Sequence, residues 1–211
     1  MNGLAAGLLV ATLVVAAADW WAVHTDRRPV EYVLKPLTMV VLIGVALALD
    51  PSSEGARWFM VAGLVCSLAG DVFLMLDERF FLGGLVSFLL GHVMYVIGLV
   101  QLDIEPLMLA VGVVLVVVAG GAVGMRIVRR SADTDRRLPG PVAAYMAVIS
   151  AMVVCAVGTL VPAAIVGALL FFASDAVLGW NRFVQPIPNA RIIIMTTYHL
   201  GQIGLVLALL D

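Results

Sequence analysis

Asp71 and Asp175 each lie within a long run of apolar residues, where an ionisable side chain costs free energy and needs a reason. Two carboxyls can do acid–base work that one cannot: a neutral one delivers a proton while an ionised one steadies a cation or activates water. Removal from water favours the neutral form of a carboxyl, and two close carboxyls resist double ionisation. Lys35, His92, Tyr95, Tyr198 and Gln202 also interrupt apolar runs. Lys35 has three readings: its ammonium snorkels to the interface, pairs with Asp71 or Asp19 at similar depth, or holds a lipid phosphate. Tyr95, Tyr198 and Gln202 read first as interhelical hydrogen-bond partners, and His92 first as a satisfied buried histidine. Asp19 abuts Trp20 and a polar connection, so it reads as interfacial, as does Glu31. No cluster has metal-ligand spacing. Cys66 and Cys155 both sit in apolar runs and read as small hydrophobic filler, not a disulfide.

The elements that position these groups follow from hydropathy. The chain has 211 residues, of which 63% are hydrophobic and 12% charged, with mean hydropathy +1.12. A water-soluble domain of this length cannot hide so much apolar surface, whereas a bilayer receives it. The net charge of −2 supplies no field for nucleic acid. Charged, proline and polar punctuation predicts one all-α membrane domain over 1–211, with eight spanning helices at about 3–24, 30–49, 57–77, 80–101, 105–126, 141–158, 160–180 and 191–210. Only Gly158 and Pro162 separate the sixth from the seventh, so seven helices with a kinked or re-entrant segment is the alternative. The first run has no Lys or Arg before Arg27, unlike a cleaved signal, and ends in Trp20–Trp21, a pair suited to the membrane interface. Residues 127–140 read as a basic cytoplasmic loop, a topology signal or else a headgroup patch. The odd-numbered connections carry ten arginines against Arg57 alone in the even ones, which predicts cytoplasmic odd connections and both termini on the other side.

Depth and spacing converge on one place. At 1.5 Å per residue, Asp71, Asp175, Asp19, Lys35, Tyr198 and Gln202 lie roughly 7–17 Å below the arginine-rich surface. His92 and Tyr95 come deeper. Gly84, Phe88, Gly91 and Tyr95 share a face of helix 4; Gly63, Ser67, Gly70 and Leu74 share one of helix 3. Small residues on such faces let backbones approach closely. Helices 3, 4, 7 and 8 are thus the expected walls of a polar cavity open toward the cytoplasmic leaflet.

Several motifs then become recognisable in order. Lys35-Pro36-Leu37-Thr38 opens helix 2, and Gly70-Asp71-Val72-Phe73-Leu74-Met75 closes helix 3. Phe81, Gly84-Leu85, Phe88, Gly91-His92 and Tyr95 mark helix 4; Ser174-Asp175, Leu178, Asn181 and Phe183 end helix 7; Tyr198 and Gly201-Gln202 lie in helix 8. This set resembles the YhhN-like membrane family, which includes the animal lysoplasmalogenases, over roughly 30–210. The resemblance implies an alkenyl ether hydrolase whose substrate is a lysophospholipid with a vinyl ether chain, released as a fatty aldehyde and a glycerophospho-base. It implies Asp71 and Asp175 as the catalytic carboxyls, in unassigned order. His92 or Tyr198 would orient water or share a proton, Lys35 would bind phosphate, and Asn181 would contact the headgroup. Ser174, Tyr95 and Gln202 would support them, with no cofactor and no metal.

Two rivals differ in kind. An intramembrane aspartyl protease also uses two membrane aspartates, but Leu68 stands where its signature has Gly, Ser174 precedes Asp175 where a Tyr belongs, and no Pro-Ala-Leu follows. A proton-coupled transporter or lipid-binding protein would use buried Asp, Lys and His, yet no repeated halves are visible. A bacterial inner membrane is the expected location.

Overall fold

Local sequence signals start and stop the helices. Asn2 caps the first helix by accepting from the Ala5 amide at 2.9 Å, and Ser53 caps the third by accepting from the Ala56 amide at 3.2 Å. Prolines occupy the first turn of four others, where the missing amide hydrogen costs nothing. The computed structural model describes all 211 residues. Its helices are α1 (Gly3–His24), α2 (Arg28–Ala48), α3 (Glu54–Met75), α4 (Phe81–Leu99), α5 (Pro106–Thr134), α6 (Pro139–Gly158), α7 (Pro162–Phe183) and α8 (Ala190–Leu207). All eight are long and apolar enough to cross a membrane, and no strand occurs.

The break between α6 and α7 is real. Leu160 adopts φ 56°, a left-handed conformation that no helix can pass through and that L-residues other than Asn and Asp rarely take. Eight helices, not seven, therefore result. The basic stretch 127–140 departs from expectation: α5 continues to Thr134, so Arg129 and Arg130 are helical and only a few residues connect α5 to α6. Arginine is a good helix former, and the Arg130–Asp133 pair at 3.2 Å braces the last turn. The end of an apolar span is not the end of a helix.

Helices α1, α2, α3, α4, α6, α7 and α8 pack each against the next, and α8 closes back on α1. This ring leaves α5 outside, against α6 and α7. Even connections meet at one end, where the Ser52 amide donates to Leu209 O and the Glu105 amide to Gly158 O. Odd connections meet at the other, where Arg191 reaches Asp26 and Glu31. Glycine sets the closest approach. A Cβ on Gly167 would lie 2.6 Å from the Leu205 amide nitrogen, and one on Gly201 would lie 2.8 Å from that of Phe171, so α7 and α8 touch backbone to backbone. On α3 and α4 the expected faces meet: the Phe88 ring covers Gly70, and the Tyr95 ring covers Gly63. Cys66 and Cys155 are free, on α3 and α6.

Candidate active site

Pro36 interrupts the hydrogen-bond ladder of α2 immediately after Lys35, since it has no amide to offer the preceding turn. Lys35 is enclosed and does not snorkel: its Nζ lies 2.9 Å from Asp71 Oδ1, with both side chains almost completely hidden. The other oxygen of Asp71 accepts from the Tyr198 hydroxyl at 2.7 Å. The ammonium also stands 6.0 Å from the centre of the Tyr198 ring. α2, α3 and α8 thereby tie one carboxyl between a cation and a phenol. Removing one partner of such an enclosed pair would strand the other.

Asp175 has a different set of partners. Tyr145 of α6 donates its hydroxyl to Asp175 Oδ2. His92 Nε2 stands 3.8 Å from the same oxygen, beyond hydrogen-bond reach. Phe88 O can only accept, so His92 Nδ1 donates to it at 2.7 Å, and Nε2 faces Asp175. That nitrogen has no hydrogen-bond partner. No Lys or Arg pairs with Asp175, in contrast to Asp71.

The two carboxyls line one cavity of about 160 Å³. Lys35, Ser174 and Tyr198 line it with them, together with Glu31 and Arg191 near the arginine-rich end. The walls are therefore α2, α3, α4, α7 and α8, one helix more than expected. Tyr95, Gln202 and Asn181 lie elsewhere, and Ser174 both lines the cavity and serves packing. Tyr95 donates to Gln202 Oε1 at 2.6 Å and lies 3.4 Å from Ser67, forming a buried brace below the cavity wall rather than part of it. Ser174 donates to Ile194 O, locking α7 to α8. Asn181 accepts from the Ile187 amide at 2.9 Å and shapes the α7–α8 connection, lining a separate groove that shares Arg191 with the cavity.

Two interfacial expectations are overturned. Asp19 is completely enclosed, because α8 packs over α1, and neither carboxyl oxygen has a hydrogen-bond partner. Glu31 is also enclosed, held by Arg191 of α8, which simultaneously bonds Asp26 at 2.7 Å. Outside the membrane, Arg191 and then Arg28 hold the Asp26 carboxyl below its ordinary range by hydrogen bonding to the ionised form. Tyr145 went unnoticed in the sequence. Its only signal was a hydroxyl inside an apolar run, 30 residues before its partner on the next helix.

Such an arrangement sets one carboxyl beside a cation and a second carboxyl without one on a single cavity that Arg191 also lines. It can protonate a substrate and steady the cation that results. The YhhN family model matches residues 30–209. Lysoplasmalogenase TMEM86B of Homo sapiens is 32% identical over 177 residues, covering 84% of this chain and 74% of that protein. The Rattus norvegicus TMEM86B protein is 31% identical over 190 residues, covering 90% and 77%. Lysoplasmalogenase TMEM86A of Bos taurus is 29% identical over 160 residues, covering 71% and 64%. No solved structure matches.

Proposed function

The chain is a member of the YhhN family, and from that premise we propose that it hydrolyses the vinyl ether bond of a lysoplasmalogen. The observation that carries this reading is the unequal carboxyl pair. Asp71 has the Lys35 ammonium at 2.9 Å, whereas Asp175 has a phenol and an imidazole nitrogen with no hydrogen-bond partner, and neither Lys nor Arg. Asp175 is assigned the acid and Asp71 the carboxylate. Asp175 transfers its proton to the alkene carbon distal to the ether oxygen, giving an oxocarbenium ion that Asp71 steadies. Water adds to the carbon bearing oxygen and returns one proton to Asp175, with His92 placed to share it. The hemiacetal then passes its hydroxyl proton to the ether oxygen and separates into aldehyde and glycerophospho-base. One water is consumed and the acid is regenerated. Lys35 and Arg191 line the side where phosphate would lie.

Aldehyde release from a synthetic lysoplasmalogen by purified protein tests this directly, with Asp71→Asn and Asp175→Asn beside it. Aldehyde from the wild type and from neither folded variant supports the reading. A silent wild type removes it. The arginine-rich end is assigned to the cytoplasmic face of a bacterial inner membrane by charge bias, with both termini opposite. Labelling of a cysteine placed at position 2 by an impermeant reagent in intact cells checks that orientation.

A further inference from the structure

Beside the polar cavity runs a second space of about 40 Å³, bounded by α3, α4, α6 and α7. Leu74, Phe88, Asp175 and Leu178 border both spaces, so Asp175 stands between the two. Beyond that junction the lining changes character. Leu85, Val142 and Met146 form its walls, and every residue around it except Asp175 and Arg182 is hydrophobic. Phe81 and Phe183 close its far end edge to face, with centroids 6.0 Å apart, and the Arg182 guanidinium lies 3.8 Å over the Phe81 ring. Leu85 and Met146 are only half-buried, so this wall reaches the surface that lipid covers.

We infer that this apolar arm is the subsite for the hydrocarbon chain of a single-chain ether lipid, and that it sets which way round the substrate lies. The inference rests on the vinyl ether hydrolase reading and deepens it. An amphiphile whose head is held by Lys35 and Arg191 has its chain on the far side of the reacting bond. The atom that must take the proton is the alkene carbon on the chain side, and the carboxyl at the mouth of the arm is Asp175. The atom that becomes cationic is on the head side, and the carboxyl there is Asp71. One orientation thus matches both carboxyls to their tasks. A space of this size holds roughly one or two methylene-sized groups. The arm therefore grips the first carbons beyond the alkene, and the rest of the chain leaves sideways between α4 and α6 into lipid, since Phe81, Arg182 and Phe183 cap the arm at the arginine-rich surface.

Two substrates separate the arm from the chemistry: a glycerophosphocholine bearing a bare ethenyl ether, and one bearing a hexadec-1-enyl ether. Full-length protein in detergent is assayed for aldehyde from each, and the readout is the ratio of kcat/KM for the long chain over the short. Leu85→Trp fills the arm and should lower that ratio at least tenfold, within the range a misfitted apolar pocket produces. Val142→Ala enlarges it and should raise kcat/KM for a substrate methylated on the first saturated chain carbon, relative to the straight chain, by several fold. Thermal melting confirms that each variant is folded, and the opposite signs protect the test if one variant is not. Ratios equal to wild type in folded variants overturn the arm and leave the hydrolase standing. A wild type that releases aldehyde from neither substrate overturns the hydrolase reading, and the arm with it.

Discussion

α5 and α8 are both membrane-length helices, yet their side chains face different surroundings. α5 stands outside the ring and is the least enclosed span, whereas α8 is the most enclosed. α5 is the longer and more apolar of the two, and all its charge gathers at one end. α8 carries Tyr198, His199 and Gln202 within its span and touches α7 backbone to backbone through Gly201 and Gly204. In a bilayer the most hydrophobic helix is not the core of the protein, because lipid receives apolar side chains as readily as protein does. Polar and small residues mark the interior instead.

Mutations can break or sharpen that contrast. The largest effect is expected at the carboxyls: Asp175→Asn and Asp71→Asn should each lower aldehyde release by the folded protein about 10³-fold or more, as single-turnover assays would show, and Asp71→Asn should also cost stability because it strands the Lys35 ammonium. Next comes Lys35→Met, which leaves Asp71 enclosed without its cation and should destabilise the fold by about 3–5 kcal/mol. Detergent or denaturant titration measures it, and the Lys35→Met/Asp71→Asn double variant should recover most of that loss. Tyr145→Phe removes one neutral donor to Asp175 and should cost about 1–3 kcal/mol, read as a fall in kcat with little change in KM. On α5, Val118 is 79% exposed, and Val118→Ala should change stability by less than about 0.5 kcal/mol. A large loss there would contradict the outer placement of α5. The smallest effect is expected outside the membrane. Arg191 holds the exposed Asp26 carboxyl below its usual range, so its contribution is present above the ordinary carboxylate range and is lost only as pH falls through and below it. Asp26→Asn should leave the melting temperature at neutral pH nearly unchanged in salt.

Helix number, approximate spans and the meeting of Asp71 with Asp175 were legible in the sequence, because spanning runs are long and intramembrane charge is rare. The matching glycine faces of α3 and α4 were legible for the same reason: close packing demands small residues at helical spacing. Pairing across the ring was not. Nothing local distinguishes Asp19 at an interface from Asp19 under α8, since the residues that enclose it come from the other end of the chain. The Glu31–Arg191 contact joins residues 160 apart, and Tyr145 reaches Asp175 from the neighbouring helix. The extension of α5 to Thr134 is not legible in hydropathy, because arginines that end an apolar span still favour helix.

The long sequence separation of these contacts orders events during synthesis. Lys35 and Asp71 are 36 residues apart, so at about 5–20 residues per second the lysine waits roughly 2–7 s for its carboxylate. Tyr198 follows Asp71 by 127 residues, and α8 cannot seal against α1 until α8 itself has been made. A ribosome still at work on α7 has therefore already delivered Asp19, Glu31 and Asp71 into an unclosed half-ring. For that interval the insertion machinery, or lipid headgroups, must shelter the acidic groups that α8 later covers.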